Sequence, residues 1–154
     1  RRGHDFNLLL KMKLDEKDEK IISILKENSR HSVRNISKKT GIRPSTVHQR
    51  IQKLIKNNVV EKFTIKLNNK LIGENFIAFM LIKGTTSDYI SSKFLTNKNV
   101  KEVFGVTGEY DVLVKLKFGD VEEFNDFIIK FRKEMKSIQS TLTMVATANI
   151  KEEF

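Results

Sequence analysis

The chain has no cysteine, so disulfides and thiolate metal sites are excluded, and the composition fits a cytoplasmic protein. It also lacks a long apolar run. Near the N-terminus the longest is Leu8–Leu10, far too short for a signal peptide or a membrane span, and no membrane partner is expected. Histidine is scarce: His4, His31 and His48 are the only three, at no spacing that suits a metal, and residues 68–154 hold none. No cofactor and no metal are expected. Residues 28–60 lack acid altogether, while holding eight lysines and arginines. There is no internal repeat and no low-complexity tract.

What is present describes a globular protein. The 154 residues suffice for one ordinary domain or two small ones, at 39% hydrophobic and 31% charged content. Eleven phenylalanines, with many Ile, Leu and Val, allow a core without covalent staples. The net charge of +10 is uneven. Residues 1–67 carry 17 basic against 7 acidic side chains, and residues 68–154 carry 12 against 12. A general lysine bias would have raised both halves. The asymmetry points to a polyanion-binding part joined to a part with another task.

The first helix starts at Asp15, with Asp18 three residues on as a carboxylate capping box, and ends near Asn28, a residue that tolerates left-handed backbone. Ser32 caps a second helix over 33–40, stopped by Gly41. Pro44 opens a third, whose apolar stripe is Val47, Ile51, Leu54 and Ile55, ending at Asn57-Asn58. The alternation from Val59 to Leu67 predicts a strand, serving as a wing or a connector. Residues 68–73 read as linker.

The rhythm then changes: strand 76–83, helix 87–96, strand 100–106, turn at Gly108-Glu109, strand 110–118, helix 121–136 and strand 141–150. Val121, Phe124, Phe127, Ile128 and Phe131 are expected to face inward. The fold class is therefore α+β, a helix-turn-helix domain (13–60), a strand and linker (61–75), and a ferredoxin-like βαββαβ domain (76–154). Met12 reads as a natural start and residues 1–12 as an N-terminal extension. In the strand 76–83 both faces are apolar, so a second sheet from an identical chain is expected to cover the open one.

A helix-turn-helix in a one-sign field fits double-stranded DNA. The N-terminal residues of a recognition helix face base edges, here Arg43, Ser45, Thr46, His48 and Gln49. Gln suits adenine and Arg suits guanine. Arg34, Lys38, Lys39, Lys53 and Lys56 suit phosphates, which position without specifying sequence. Arg50 follows the exposed Gln49 and precedes the core Ile51, so phosphate contact and pairing within the domain stand even. The bland alternative is a three-helix bundle with a solvated basic face.

The ordered set Leu14-Asp15, Asp18, Ile21-Ile22, Leu25, Asn28, Arg30, Ser32, Ile36, Gly41-Ile42, Val47, Arg50-Ile51, Leu54 and Val59-Val60 resembles the Lrp/AsnC, or feast/famine, family of transcription regulators. The likeness continues through Val106-Thr107-Gly108-Glu109-Tyr110-Asp111 and Thr141-Leu142-Thr143, covering residue 13 to the end. Departures are Ser37, where the family usually has Ala, and Asn57-Asn58 in place of a Gly turn. The resemblance implies operator binding by the N-terminal domain and ligand sensing and oligomerisation by the C-terminal one. It implies a homodimer that can assemble further to an octamer, and an amino acid or related metabolite as effector between C-terminal domains. The implied effector-binding residues are Thr107, Gly108, Glu109, Tyr110 and Asp111. In residue terms, Gly108 permits close backbone approach, its neighbours' N–H groups suit a carboxylate, Asp111 suits an ammonium group, and Tyr110 can pack beside it. The residues alone also fit a plain hairpin turn with Asp111 as its cap.

Two other functions compete with a sequence-specific, non-enzymatic regulator. A chromatin-like protein would pack DNA with little sequence choice. A sirohaem-decarboxylase-like enzyme also resembles this family, but the absence of His from residues 68–154 argues against it.

Overall fold

The computed structural model describes residues 13–84, 91–135 and 137–153, and it divides into two compact units, 1–65 and 66–154. The expected N-terminal extension 1–12, the start of the helix expected at 87–96, and Lys136 lie outside the described residues. The division at 65 and 66 falls inside the stretch read as strand and linker.

The first unit is a three-helix bundle. Helix α1 (Glu16–Glu27) opens with a reciprocal capping box: Asp18 N–H donates to Asp15 at 2.9 Å and Asp15 N–H to Asp18 at 3.3 Å. At its end Asn28 is extended (φ −154°) rather than left-handed, because its side chain accepts from the Arg30 N–H at 3.0 Å and turns the chain that way. Helix α2 (Val33–Thr40) is capped by Ser32, which accepts from Asn35 N–H, and stops at Gly41 with φ +71°. Helix α3 (Pro44–Lys56) starts at the proline, whose missing N–H costs nothing there. Ile21, Ile36, Ile42, Val47 and Leu54 are buried together, and each such side chain contributes about 1.5–3 kcal/mol.

The strand expected over 59–67 does not form. Val59 and Val60 N–H both donate to the Leu54 carbonyl, so the start of the segment is spent closing α3, with Asn58 left-handed at φ 54°. Phe63, Ile65 and Leu67 do alternate, but all three are exposed, and 61–68 joins no ladder. Alternation makes a strand only when a neighbouring edge supplies hydrogen bonds.

The second unit runs β1 (Phe76–Gly84), α4 (Ser92–Leu95), β2 (Val100–Gly105), β3 (Val112–Phe118), α5 (Val121–Glu134) and β4 (Ile138–Val145). The sheet order is β2-β3-β1-β4, with every pair antiparallel. That is the βαββαβ ferredoxin-like arrangement expected. The last strand begins and ends earlier than its composition suggests. Its partner β1 offers positions from Gly84, opposite Ile138, to Ala78, opposite Val145, and little beyond.

Ala78, Met80, Ile82, Val112, Val114, Leu116 and Phe118 point from β1 and β3 toward the helices, where Phe94 and Phe131 close the core. Phe118 packs edge-on against Phe124 and Phe127, at 5.5 and 5.4 Å between ring centres. The inward stripe of α5 takes effect only from Phe124 onward. Val121, one turn earlier, is 52% exposed, contrary to expectation.

Candidate nucleic-acid interface and ligand turn

Helix α3 buries Val47 and Leu54, and half-buries Ile51. A helix repeats every 3.6 residues, so Ser45, His48, Gln49, Gln52, Lys53 and Lys56 must share the opposite face, and all six are exposed. Thr46 is half-buried beside them. Arg43 is the N-cap of α3 and makes no side-chain cap, so its guanidinium is available at the helix start. His48 stands alone in chemical terms: no group of His, Asp or Glu among the described residues is placed to hold a metal.

The turn that presents α3 is built locally. Thr40 Oγ1 donates to the Ile36 carbonyl at 2.8 Å and accepts from Ile42 N–H at 3.3 Å. Ile42 is thereby directed into the core while Gly41 reverses the chain. Arg34, Lys38 and Lys39 of α2 are all exposed. Lys39 donates to the His31 ring at 3.1 Å and lies 3.8 Å from Glu27, so part of its charge is spent within the domain.

Arg50 differs from every other basic residue in the stretch. Its Nη1 donates to Asp15 at 2.7 Å and to Asp18 at 2.8 Å. Asp18 is buried, and Arg50 is half-buried. Arg50 holds the Asp15 carboxyl below the usual carboxylate range, helped by the Asp18 N–H. Of the two readings open from sequence, the structure realises pairing within the domain. Arg50 Nη1 is engaged by two carboxylates, which sets this residue apart from the exposed Arg34, Lys38, Lys53 and Lys56.

In the second unit, Thr107–Tyr110 form the loop joining β2 to β3. Val106 N–H donates to the Asp111 carbonyl at 2.9 Å, closing the loop. Gly108 has φ +131°, a conformation L side chains rarely adopt, and a Cβ there would meet nothing within 4 Å. Thr107, Gly108 and Glu109 are exposed, and Tyr110 and Asp111 half-buried. Asp111 Oδ2 accepts from Gly84 N–H at 2.8 Å, and Asp111 N–H donates to the Ile82 carbonyl. Asp111 thus caps the turn and ties it to the end of β1, as the plain hairpin reading expects.

The sheet face away from the helices carries features that sequence reading missed. Glu152 Oε1 meets Lys115 Nζ at 2.6 Å and Lys117 Nζ at 2.7 Å, while Oε2 accepts from Asn69 at 2.8 Å and Asn149 at 3.1 Å. Lys66 donates to the Glu152 carbonyl. Burial alone pushes the Glu152 carboxyl up, but Lys115, then Lys117, then Asn69 hold it well below the carboxylate range. The one available signal was the pair of lysines alternating with Val114 and Leu116 in an otherwise apolar strand. Away from this knot the same face is apolar, with Phe104, Leu142 and Met144 about half exposed.

Two family models match the chain. A winged helix-turn-helix DNA-binding model matches residues 14–61, and the Lrp/AsnC ligand binding domain matches residues 77–154. The HTH-type transcriptional regulator FL11 of Pyrococcus furiosus is 37% identical over 141 residues, covering 90% of this chain and 93% of that protein. The solved structure of LrpC from B. subtilis has a TM-score of 0.81 at 26% identity, covering 92% of this chain and all of that one. A transcriptional regulator of Neisseria meningitidis, solved in complex with L-Met, has a TM-score of 0.84 at 22% identity, which shows a shared fold; it covers 92% of this chain and 94% of that one. No helix among the described residues is long and apolar enough to cross a membrane.

Proposed function

Because the chain belongs to the Lrp/AsnC family of DNA-binding transcriptional regulators, we propose that it acts as a sequence-specific homodimer whose hold on DNA is tuned by an amino acid or related metabolite. The observation that carries this reading is the exposed row Ser45, His48, Gln49, Gln52, Lys53 and Lys56 on α3. Polar groups able to read base edges stand at the start of the helix, and lysines able to meet phosphate at its end. Arg34, Lys38, Lys39 and Arg43 extend the same positive field. Ser45, His48 and Gln49 select the site, with Arg43 and Thr46 beside them.

The apolar end of the open sheet face, with Phe104, Leu142 and Met144, supports dimerisation through a second copy. Open space over Gly108 supports a ligand beside the 107–111 loop: backbone N–H groups receive a carboxylate, Asp111 faces an ammonium group, and Tyr110 packs alongside. The methionine bound by the Neisseria relative fits that chemistry. Ligand then changes how dimers assemble, up to octamers, or how their paired helix-turn-helix units are spaced.

Mapping bound sites across the genome, with and without an amino-acid pool, tests the whole reading. Discrete sites whose occupancy shifts with the pool support it. Uniform coverage would instead favour a DNA-packing protein, to which the net charge of +10 also lends itself. Discrete sites indifferent to every amino acid would keep the DNA reading and remove the effector.

A further inference from the structure

The apolar contacts of α3, through Val47, Ile51 and Leu54, hold the helix against its neighbours but are non-directional. They tolerate small rotations and slides about the helix axis. Arg50 supplies what they lack. Its Nη1 reaches both Asp15 and Asp18, at 2.7 and 2.8 Å. Asp15 is itself the N-cap of α1, and Asp18 completes the capping box there. A charged hydrogen bond is short and angle-dependent, so this contact fixes the rotation and height of α3 against the start of α1.

We infer that Arg50 is a positioning residue for base recognition: it aims His48 and Gln49 at the groove without touching DNA. Two features of its setting make the role specific. Asp18 is 3% exposed, so its charge has no adequate solvent and depends on the guanidinium. Arg50 directly follows Gln49 in the helix, so a shift that frees Arg50 re-aims Gln49 by a similar amount. Base readout depends on paired hydrogen bonds of narrow geometry, whereas phosphate contacts tolerate movement. Losing the anchor should therefore damage choice of site more than general affinity. Arg50 plays this part only if α3 is the helix that enters the groove, as proposed above.

The test uses the full chain and two duplexes: one enriched by the parent protein from a random pool, and its scrambled counterpart. Arg50→Met should lower the affinity ratio between them by roughly tenfold, the worth of one base contact, with the salt dependence on the scrambled duplex unchanged. Arg50→Lys, which can still reach one carboxylate, should recover part of the ratio. Asp15→Asn, which leaves Asp18 paired, should lower it less, and it serves if Arg50→Met fails to fold. A salt slope reduced by about one would overturn the inference, placing Arg50 on a phosphate. So would an unchanged ratio with only a lower melting temperature, which would leave Arg50 a stabilising residue. If the parent enriches no sequence at all, the DNA-reading proposal fails instead, and the two failures are distinct.

Discussion

Glu152 Oε1 lies 2.7 Å from Lys117 Nζ, and both side chains are largely buried, at 14% and 9% exposure. A residue near the chain end thereby neutralises a lysine in the middle of the sheet. Lys115 joins the same oxygen at 2.6 Å, and Asn69 bridges Glu152 and Lys117. Replacing Glu152 with Ala leaves the buried Lys117 ammonium without a carboxylate, while Lys115 keeps Glu102 at 2.9 Å, and should cost about 3 kcal/mol of stability. Denaturant unfolding of parent and variant measures it. A loss under about 0.5 kcal/mol would mean that the tail is only loosely pinned.

Acid should reveal a second carboxylate. Glu123 accepts from Gly119 N–H, Lys98 and Asn99, in that order of effect, and is pulled down to about 2 from 4.5. A depressed folded pKa adds stability that is complete above the unfolded value and fades as pH falls through the folded one. The contribution of Glu123 should therefore be whole above about 4.5 and decline toward about 2. Thermal melts of Glu123→Gln across this range should fall less steeply with acid than those of the parent. Parallel curves would show that Glu123 carries no linkage.

Reversing the charges of Lys53 and Lys56 together should weaken binding to every DNA sequence and lower the salt slope by about two. Gln49→Ala should leave the slope alone and cost about 1–3 kcal/mol at one base position. Fluorescence anisotropy over a salt series, on matched and substituted duplexes, separates the two outcomes. Should both variants bind like the parent, α3 does not present this face to DNA.

Gly41 sits at φ +71°, and a Cβ there would touch nothing within 4 Å. Only backbone strain opposes substitution, so Gly41→Ala should cost about 1 kcal/mol and Gly41→Asn less. Thermal melting of the three proteins ranks them directly. A larger loss for Asn than for Ala would contradict the strain argument.

Leu142 and Met144 are adjacent on one face of β4, and are 44% and 46% exposed. Placing Asp at both should dissociate a dimer formed through the open sheet face while the monomer stays folded. Sedimentation reads the mass and circular dichroism the fold. An unchanged mass would move the dimer contact elsewhere.

Local chemistry was legible at most helix ends, though not at Asn28, whose side chain turns the chain extended. The Asp15–Asp18 capping box, the stop at Gly41 and the start at Pro44 need only their neighbours. The inward stripe of α5 was readable from spacing, though Val121 shows that spacing does not say where a helix meets its sheet. The alternation of 59–67 misled for a related reason: a pattern proposes a strand, and only a neighbouring edge makes one.

Sequence alone determined two parts of unlike charge, three helices with a basic face, and the βαββαβ order, because periodicity, caps and charge are properties of short stretches. Tertiary structure decided the partners of charges far apart in the chain. Arg50 turns inward to Asp15 and Asp18, and Lys115 and Lys117 wait for Glu152. An isolated lysine or arginine looks the same on paper whether it meets phosphate or carboxylate. What distinguishes them is which carboxylate the fold brings within about 3 Å once water is excluded.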